Sequence, residues 1–269
     1  MAKKRRLDEE LVKQGFFASK DEALRAVMAG EVSTSDRRLT SAGERVAVGL
    51  PLHVKGHGAF VSRGGLKLER GLDAFGVDPA GLDCLDVGCS TGGFTDCLLR
   101  RGAAHVTSVD VGYAQFDWGL RRDARVRLLE RTNIVDVPGI VGAGAFDLAV
   151  CDVSFTSVTC VLPAVLELLR PDGRFLTLVK PQFEAPREDV GEGGVVRDQS
   201  VRDAAIARVR EAFEGSGLAV RGVCESPIHG AKGNIEYLMF LQKDAGDEGR
   251  VDADLITRVV HEAHAELND

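Results

Sequence analysis

The sequence has no Cys-x-x-Cys pair, no histidine at zinc-site spacing from any of its 6 cysteines, and no apolar run approaching the roughly 18 residues of a membrane span. The first two absences leave no metal framework and no dithiol redox couple, so no metal is expected. Cys84, Cys89, Cys97, Cys151, Cys160 and Cys224 stand singly, several in apolar strands, where a thiol behaves as a small hydrophobe. They fit the reduced thiols of a cytoplasmic protein. The third absence argues against a helical membrane anchor, and Lys3-Lys4-Arg5-Arg6 leads into Leu7-Asp-Glu-Glu rather than an apolar stretch, so no signal peptide is expected. An overall basic excess is missing too: the formal charge is -7. The charge is uneven, however. Residues 1–70 carry 14 Lys/Arg against 9 Asp/Glu, and the remainder carries 20 against 32. A basic head on an acidic body is the asymmetry expected where one end meets a polyanion.

What is present centres on Leu82-Asp-Cys-Leu-Asp-Val-Gly-Cys-Ser-Thr-Gly-Gly-Phe-Thr-Asp96. Leu82, Leu85 and Val87 read as a buried parallel strand that ends at the carboxylate of Asp86 and breaks into a turn at Gly88, Gly92 and Gly93. From Phe94 a helix resumes. Strand, glycine turn and helix form the nucleotide-binding corner of an open α/β sheet. A dinucleotide fingerprint needs a glycine where Ser90 stands, and Asp86 repels phosphate. A cationic ligand without phosphates suits the turn better, which points to S-adenosylmethionine. Its carboxylate can meet the helix N-terminus behind Ser90, Thr91 and Gly92. Asp110 closes a second buried strand about 20 residues on, where a ribose-binding acid belongs. Thr132 and Asn133 follow the third strand, near the expected adenine.

The first segment is small and mostly helical. Leu7, Leu11 and Val12 form one stripe that Gly15 can end. Ser19 is a good cap for a helix over Lys20 to Ala29, with Ala23, Leu24, Val27 and Met28 facing inward. Short strand-like pieces follow at Glu31-Val-Ser-Thr, Arg45-Val-Ala-Val and Leu52-His-Val. This segment resembles the S4 RNA-binding domain, on Arg5-Arg-Leu-Asp8, Leu11, Gly15, Ser19, Ala23 and Ala29-Gly-Glu-Val32. The resemblance implies a grip on RNA through backbone charge and shape, with Lys3, Lys4, Arg5, Arg6 and Lys20 as candidate contacts. Lys20 stands where an arginine is usual, which weakens a bidentate phosphate grip.

Domain limits are expected at 1–56 for the head, 57–62 for a linker and 63–269 for the body. In the body, Leu66, Leu68, Leu72 and Phe75 predict a helix under the sheet, with Lys67 on its polar side. Strands are expected at Asp83–Val87, His105–Asp110, Val126–Glu130, Phe146–Asp152, Arg174–Lys180, Leu218–Glu225 and Ile235–Gln242. Helices lie between most of them, among them a stripe of Leu162, Val165, Leu166 and Leu169 closed by Pro171-Asp-Gly173, and a later helix carrying Val201, Ala205, Val209 and Phe213. No helix separates the last two strands, so they should pair antiparallel. The polar stretch 245–250 precedes an amphipathic helix near 251–267.

Asp152 ends one strand, Lys180 ends the next, and Glu236 begins the last; if that strand is reversed, all three share one rim. A charge closing an apolar strand is costly to bury unless paired. Lys67, Asp152, Lys180 and Glu236 match the Lys-Asp-Lys-Glu set of FtsJ-like RNA 2′-O-methyltransferases in the same chain order. With Ser62-Arg-Gly-Gly-Leu-Lys67, Asp110-Val-Gly-Tyr113, Glu130-Arg-Thr-Asn133, Asp152-Val-Ser-Phe155, Val179-Lys-Pro-Gln-Phe-Glu184 and Gly233-Asn-Ile-Glu-Tyr237, the chain closely resembles the TlyA family along nearly its full length. The resemblance implies an α/β Rossmann-like methyltransferase sheet of seven strands, the last antiparallel, behind a small α+β S4-like domain. It also implies methyl transfer from S-adenosylmethionine to the ribose 2′-OH of cytidine in 16S and 23S ribosomal RNA, the substrate being the ribosomal subunits. Lys180 is the expected centre, as base or as stabiliser of the developing oxyanion. Arg63 is a candidate phosphate contact and Phe155 a candidate stacking platform, with a solvated arginine and core packing as the alternatives. The family also carries a hemolysin label, yet the sequence shows no barrel strands or membrane-length helix. Three other readings compete: a non-catalytic ribosome-assembly factor with a vestigial nucleotide pocket, which the intact set of four opposes; a nicotinamide-dependent oxidoreductase, which Ser90 and Asp86 oppose; and a small-molecule or protein methyltransferase, which the basic head opposes.

Overall fold

A computed structural model describes residues 4–243 apart from 15, 18, 35, 36, 51 and 55–59. Lys3, the helix stop at Gly15, the first half of the expected linker and the expected helix at 251–267 lie outside the described residues. The chain divides into two compact units, Met1–Arg63 and Gly64–Asp269.

In the first unit β1 (Lys4–Arg6) leads into α1 (Leu7–Lys13), then α2 (Lys20–Met28), β2 (Val32–Ser33), β3 (Arg45–Ala47) and β4 (His53–Val54). β1 pairs antiparallel with β3, and β2 with β4. Leu7, Leu11, Phe17, Ala23, Val27, Val32 and Val46 share one small core. The Ser19 hydroxyl caps α2 by accepting the Glu22 N–H at 3.3 Å. The inward face of α2 differs from the expected one: it is Ala23, Ala26 and Val27, while Leu24 is exposed and Met28 is 76% exposed. Ala23, Ala26 and Val27 follow the i, i+3, i+4 stripe; Leu24 and Met28 sit one helical step further round, toward solvent.

The second unit runs α3 (Gly64–Phe75), β5 (Asp83–Val87), α4 (Gly93–Arg100), β6 (His105–Asp110), α5 (Trp118–Arg121), β7 (Val126–Glu130), α6 (Pro138–Val141), β8 (Phe146–Cys151), α7 (Leu162–Leu168), β9 (Leu169–Val179), α8 (Pro181–Glu184), α9 (Gln199–Glu214), β10 (Leu218–Glu225) and β11 (Tyr237–Lys243). One seven-stranded sheet has the order β10-β11-β9-β8-β5-β6-β7. β5 to β9 pair in parallel, and β11 is antiparallel to both β9 and β10. This is the Rossmann-like arrangement with a reversed last strand, as the missing helix between β10 and β11 required. On one face Val87, Cys151, Phe175, Val179 and Met239 pack with Val165 and Leu168 of α7 and Ile206, Val209 and Phe213 of α9. On the other, Gly71 of α3 lets the helix lie directly on Leu176 and Leu238; a Cβ there would meet Leu176 at 3.1 Å.

Two expected details change. α7 ends at Leu168, and Leu169 is already extended and paired with Phe146. Pro171-Asp-Gly173 is therefore a bulge within β9 rather than a turn that closes the helix. Proline disfavours helical backbone in the residue before it, and a Cβ on Gly173 would meet the Arg170 carbonyl oxygen at 2.9 Å. In α3 the buried residues include Lys67, while Leu66 is exposed, the reverse of the expected facing.

At the amino ends of β5, β6 and β8 the charges close on one another. Asp83 donates its N–H to Asp147 at 2.9 Å and lies 2.9 Å from the His105 ring. Arg170 reaches Asp83 at 3.1 Å and also pairs with Asp147. His105, then Arg170, hold the Asp83 carboxyl below the usual carboxylate range. After β7 the chain crosses to β8 on the other side of β5, so the carboxyl ends of β5 and β8 flank the topological switch point.

Candidate active site

The turn after β5 is built at close quarters. Gly88 has φ +81°, and a Cβ there would meet the Asp152 carbonyl oxygen at 2.9 Å; Gly92 has φ +95°, and a Cβ would meet Leu120 at 2.6 Å. Only glycine fits both positions. Ser90 (φ 47°) and Thr91 are exposed at the apex, and Gly93 opens α4. Asp86 is fully buried beneath the turn. One of its oxygens accepts the Thr95 hydroxyl at 2.6 Å, Thr95 is joined to Ser108 at 2.7 Å, and the other oxygen has no hydrogen-bond partner. Burial pushes the Asp86 carboxyl up to about 7 against the pull of Thr95. Phe94 is buried as the first apolar residue of the α4 core face.

Asp110, at the end of β6, accepts the Ser90 N–H at 2.7 Å and the Gly112 N–H at 2.6 Å, tying the first two loops together. A carboxylate has further lone pairs for a ribose diol. Thr132 is half-buried, donating its hydroxyl to the Glu130 carbonyl, and its N–H reaches the Asp110 carbonyl at 3.0 Å; Asn133 is exposed and accepts the Val135 N–H. Beside them Arg131 stacks 3.9 Å from the Tyr113 ring, a pair that sequence reading passed over. The rim thus offers carboxylates and neutral loop groups, with no Lys or Arg in residues 86–93. That set fits a ligand with an amine and a vicinal diol and does not fit a pyrophosphate.

Four elements bring the ionisable quartet to the same edge. Asp152 follows β8 and Lys180 follows β9; their charged groups are 2.6 Å apart, at angles outside hydrogen-bond geometry, and Lys180 donates instead to the Ser154 hydroxyl at 2.8 Å. Glu236 precedes β11. Because Tyr237 pairs with Val179, Glu236 continues the register opposite Lys180. Lys67 comes down from α3 and donates to Glu236 at 2.5 Å. Gln182 donates to Glu236 at 3.5 Å. Lys67, Lys180 and Glu236 are 8%, 7% and 3% exposed. Buried charges so arranged persist because each has an opposite partner. The Gly230 backbone lies against the Glu236 carboxylate, and its loop is held by Lys232 on the Gly193 carbonyl (2.7 Å) and by Asn234 on Gly194 and Val196.

Phe155 stands beside the quartet, 92% exposed, with φ 64°, its ring 5.4 Å from Phe183. Sequence reading missed Ser154, Gln182 and Glu184, although all three lie inside the segments Asp152-Val-Ser-Phe155 and Lys180-Pro-Gln-Phe-Glu184 that carry the resemblance. The cationic candidates of the first unit are paired within it: Arg5 with Glu10 (2.5 Å), Arg6 with Asp8 (2.7 Å) and Lys20 with Glu9 (2.7 Å). Lys4 lies in β1 and is exposed, and Arg63 is half-buried. Among the described residues no three His, Cys, Asp or Glu side chains are placed to hold a metal ion, and no helix is long and apolar enough to cross a membrane.

Known proteins are similar to this chain over most of its length. A Bacillus subtilis (strain 168) protein provisionally named rRNA methyltransferase YqxC is 44% identical over 100% of this chain and 97% of its own length. The 16S/23S rRNA (cytidine-2′-O)-methyltransferase TlyA of Mycobacterium tuberculosis is 41% identical over 90% of this chain and 91% of its own. A solved Streptococcus thermophilus structure named as a hemolysin superposes with a TM-score of 0.76 at 40% identity, covering 100% of this chain and 98% of that one. Residues 60–243 match the model of the FtsJ-like methyltransferases, and with those relatives the match shows that this chain belongs to the FtsJ-like methyltransferase family.

Proposed function

We propose that the protein transfers a methyl group from S-adenosylmethionine to the ribose 2′-hydroxyl of cytidine in 16S rRNA, 23S rRNA or both. One observation carries the reading: Lys67, Asp152, Lys180 and Glu236 converge from four elements at the carboxyl edge, beside a glycine turn suited to an amine-bearing nucleoside. When bound, S-adenosylmethionine supplies a methyl group already activated by its sulfonium.

The chain's own groups supply the rest. Ser90, Thr91, Gly92 and Gly93 shape the bed for the amino-acid portion, Asp86 supports that bed from beneath, and Asp110 takes the ribose diol, with Thr132 and Asn133 near the base. Lys180 is the central catalytic group. Placed at O2′, Lys180 acts on the proton or on the negative charge developing there, as base or as stabiliser of the oxyanion. The ion pair with Asp152 and the hydrogen bond to Ser154 fix where the Lys180 side-chain nitrogen sits beside the substrate oxygen. Lys67 neutralises Glu236, so the second acid supports the site without adding net charge. Phe155 offers an open ring face on which a splayed base can stack.

Residues 1–56 form the S4-like RNA-binding domain in this reading, and 63–269 the methyltransferase domain, in a cytoplasmic protein whose partners are ribosomal subunits. The exposed Lys20–Glu9 pair is weak enough to exchange a carboxylate for a phosphate, whereas Arg6–Asp8 and Arg5–Glu10 each hold a buried carboxylate and are more structural. The test is to mix the protein with methyl-labelled donor and each isolated ribosomal subunit, then map the label. Label on a cytidine ribose supports the reading; label on a base, or none on either subunit, overturns it.

A further inference from the structure

α8 is a single turn, yet both of its ends hold the same loop. Before its first residue, Lys180 meets Asp152 and donates to Ser154 at 2.8 Å. At its last residue, buried Glu184 accepts the Ser157 hydroxyl at 2.5 Å and the Val158 N–H at 2.8 Å. The turn itself is fastened from α9, where Arg208 donates to the Glu184 carbonyl at 2.6 Å. Residues 154–156 are left exposed between the two grips. Phe155, in their centre, has left-handed backbone and a phenyl ring almost wholly in solvent. A bulky residue holds that strained conformation only where its surroundings force it. Phe183, also on α8, supports the ring from one side. Burial raises the Glu184 carboxyl above its usual range, while the Ser157 and Val158 bonds pull it back.

We infer that Glu184 is a positioning residue for methyl transfer: by clasping Ser157 and Val158 it arches the loop so that Phe155 is presented to the substrate and Ser154 to Lys180. The inference rests on the methyltransferase reading above and adds a residue that touches neither donor nor acceptor. A carboxylate that merely capped the turn at Val158–Cys160 would have no effect on Phe155. Glu184→Gln keeps an acceptor for Val158 and a polar contact for Ser157; Glu184→Ala keeps neither.

Two measurements on the full-length protein test this. In hydrogen exchange of the free protein, Glu184→Ala should speed exchange across 154–158 by at least about 10-fold relative to the sheet, and Glu184→Gln by less than about 3-fold. In methyl transfer, Glu184→Ala should raise KM for the ribosomal subunit about 10-fold with donor affinity unchanged, and Glu184→Gln should recover most of the loss. The Glu184→Ala/Phe155→Ala double variant should be no worse than Phe155→Ala alone within about 2-fold, because the two act as one unit. Should Glu184→Ala fail to fold, Ser157→Ala removes one grip and should show a smaller rise in KM. Additive losses, an unchanged KM, or equal damage by Gln and Ala overturn the inference. Wild-type protein that labels neither subunit overturns the reaction itself, whereas unchanged exchange at 154–158 overturns the clasp whatever the reaction.

Discussion

At the amino edge of the sheet Arg170 closes on Asp83 and Asp147, His105 closes on Asp83, and the left-handed positions before β5, β6, β8 and β10 are filled by Gly81, Gly102, Gly144 and Gly217. At the carboxyl edge Gly88 and Gly92 take two of the left-handed positions, but Ser90, Ala114, Arg131 and Phe155 take others after β5 to β8, and Lys232 before the reversed β11 joins them. There one oxygen of Asp86 and the amide oxygen of Gln182 are buried without hydrogen-bond partners. One edge relieves strain and matches its charges; the other retains both strain and unmet polar groups. Sites that bind and transform ligands hold such costs because relaxed geometry would leave no group aimed at a substrate.

The largest effect that would break this contrast lies at Lys180. Lys180→Ala should cut methyl transfer by at least about 10³-fold in single-turnover assays, with donor titration unchanged, because its loss removes the group at the developing charge. Strong residual transfer would put the chemistry elsewhere. Next comes the buried pair at the same edge. Lys67→Ala leaves Glu236 charged and alone and should cost about 3 kcal/mol in urea unfolding, while Lys67→Met with Glu236→Leu should recover most of it, since an apolar pair avoids the stranded charge.

A smaller effect concerns Asp86. Its carboxyl is raised from 3.8 to about 7 in the folded protein, so the native state binds the extra proton and stability falls as pH rises through that window. Between pH 5 and pH 8 the wild-type protein should lose about 2 kcal/mol relative to Asp86→Asn, measured as the difference in their urea midpoints. No relative change would mean that the carboxyl is ionised throughout. The smallest effect belongs to the amino edge: Arg170→Ala should lower stability by about 1 kcal/mol and leave the rate of transfer within about 2-fold. A large loss of rate there would erase the distinction between the edges.

Much of the carboxyl edge was legible in the sequence because Asp110, Asp152 and Lys180 stand at strand ends, and the missing helix between β10 and β11 dictated the reversal that brings Glu236 alongside. Lys67 was not read correctly. Its spacing from Gly64, Leu68 and Gly71 places it on the buried stripe of α3, but a lysine beside two leucines reads as solvated until its partner, 169 positions away, is known. Similarly, Arg5 and Arg6 read as a free basic tail because nothing in the pattern shows that Asp8 and Glu10 are buried next to Leu7 and Leu11. The stripe of α2 was misjudged by one step for a simpler reason: alanines were available for the core, and Met28 was not needed there. Glu184 was unreadable because its role depends on two backbone grips that no periodicity encodes.

The reversed position of β11 has a consequence for how the chain comes off the ribosome. β10 touches the sheet only through β11, and Glu236 lies 56 positions beyond Lys180, so neither the sheet's outer strand nor the fourth charged group can be installed until residues 218–243 have been made. A chain halted before β11 can therefore complete the glycine turn after β5 and still lack Glu236, which arrives only when that strand slots between β9 and β10.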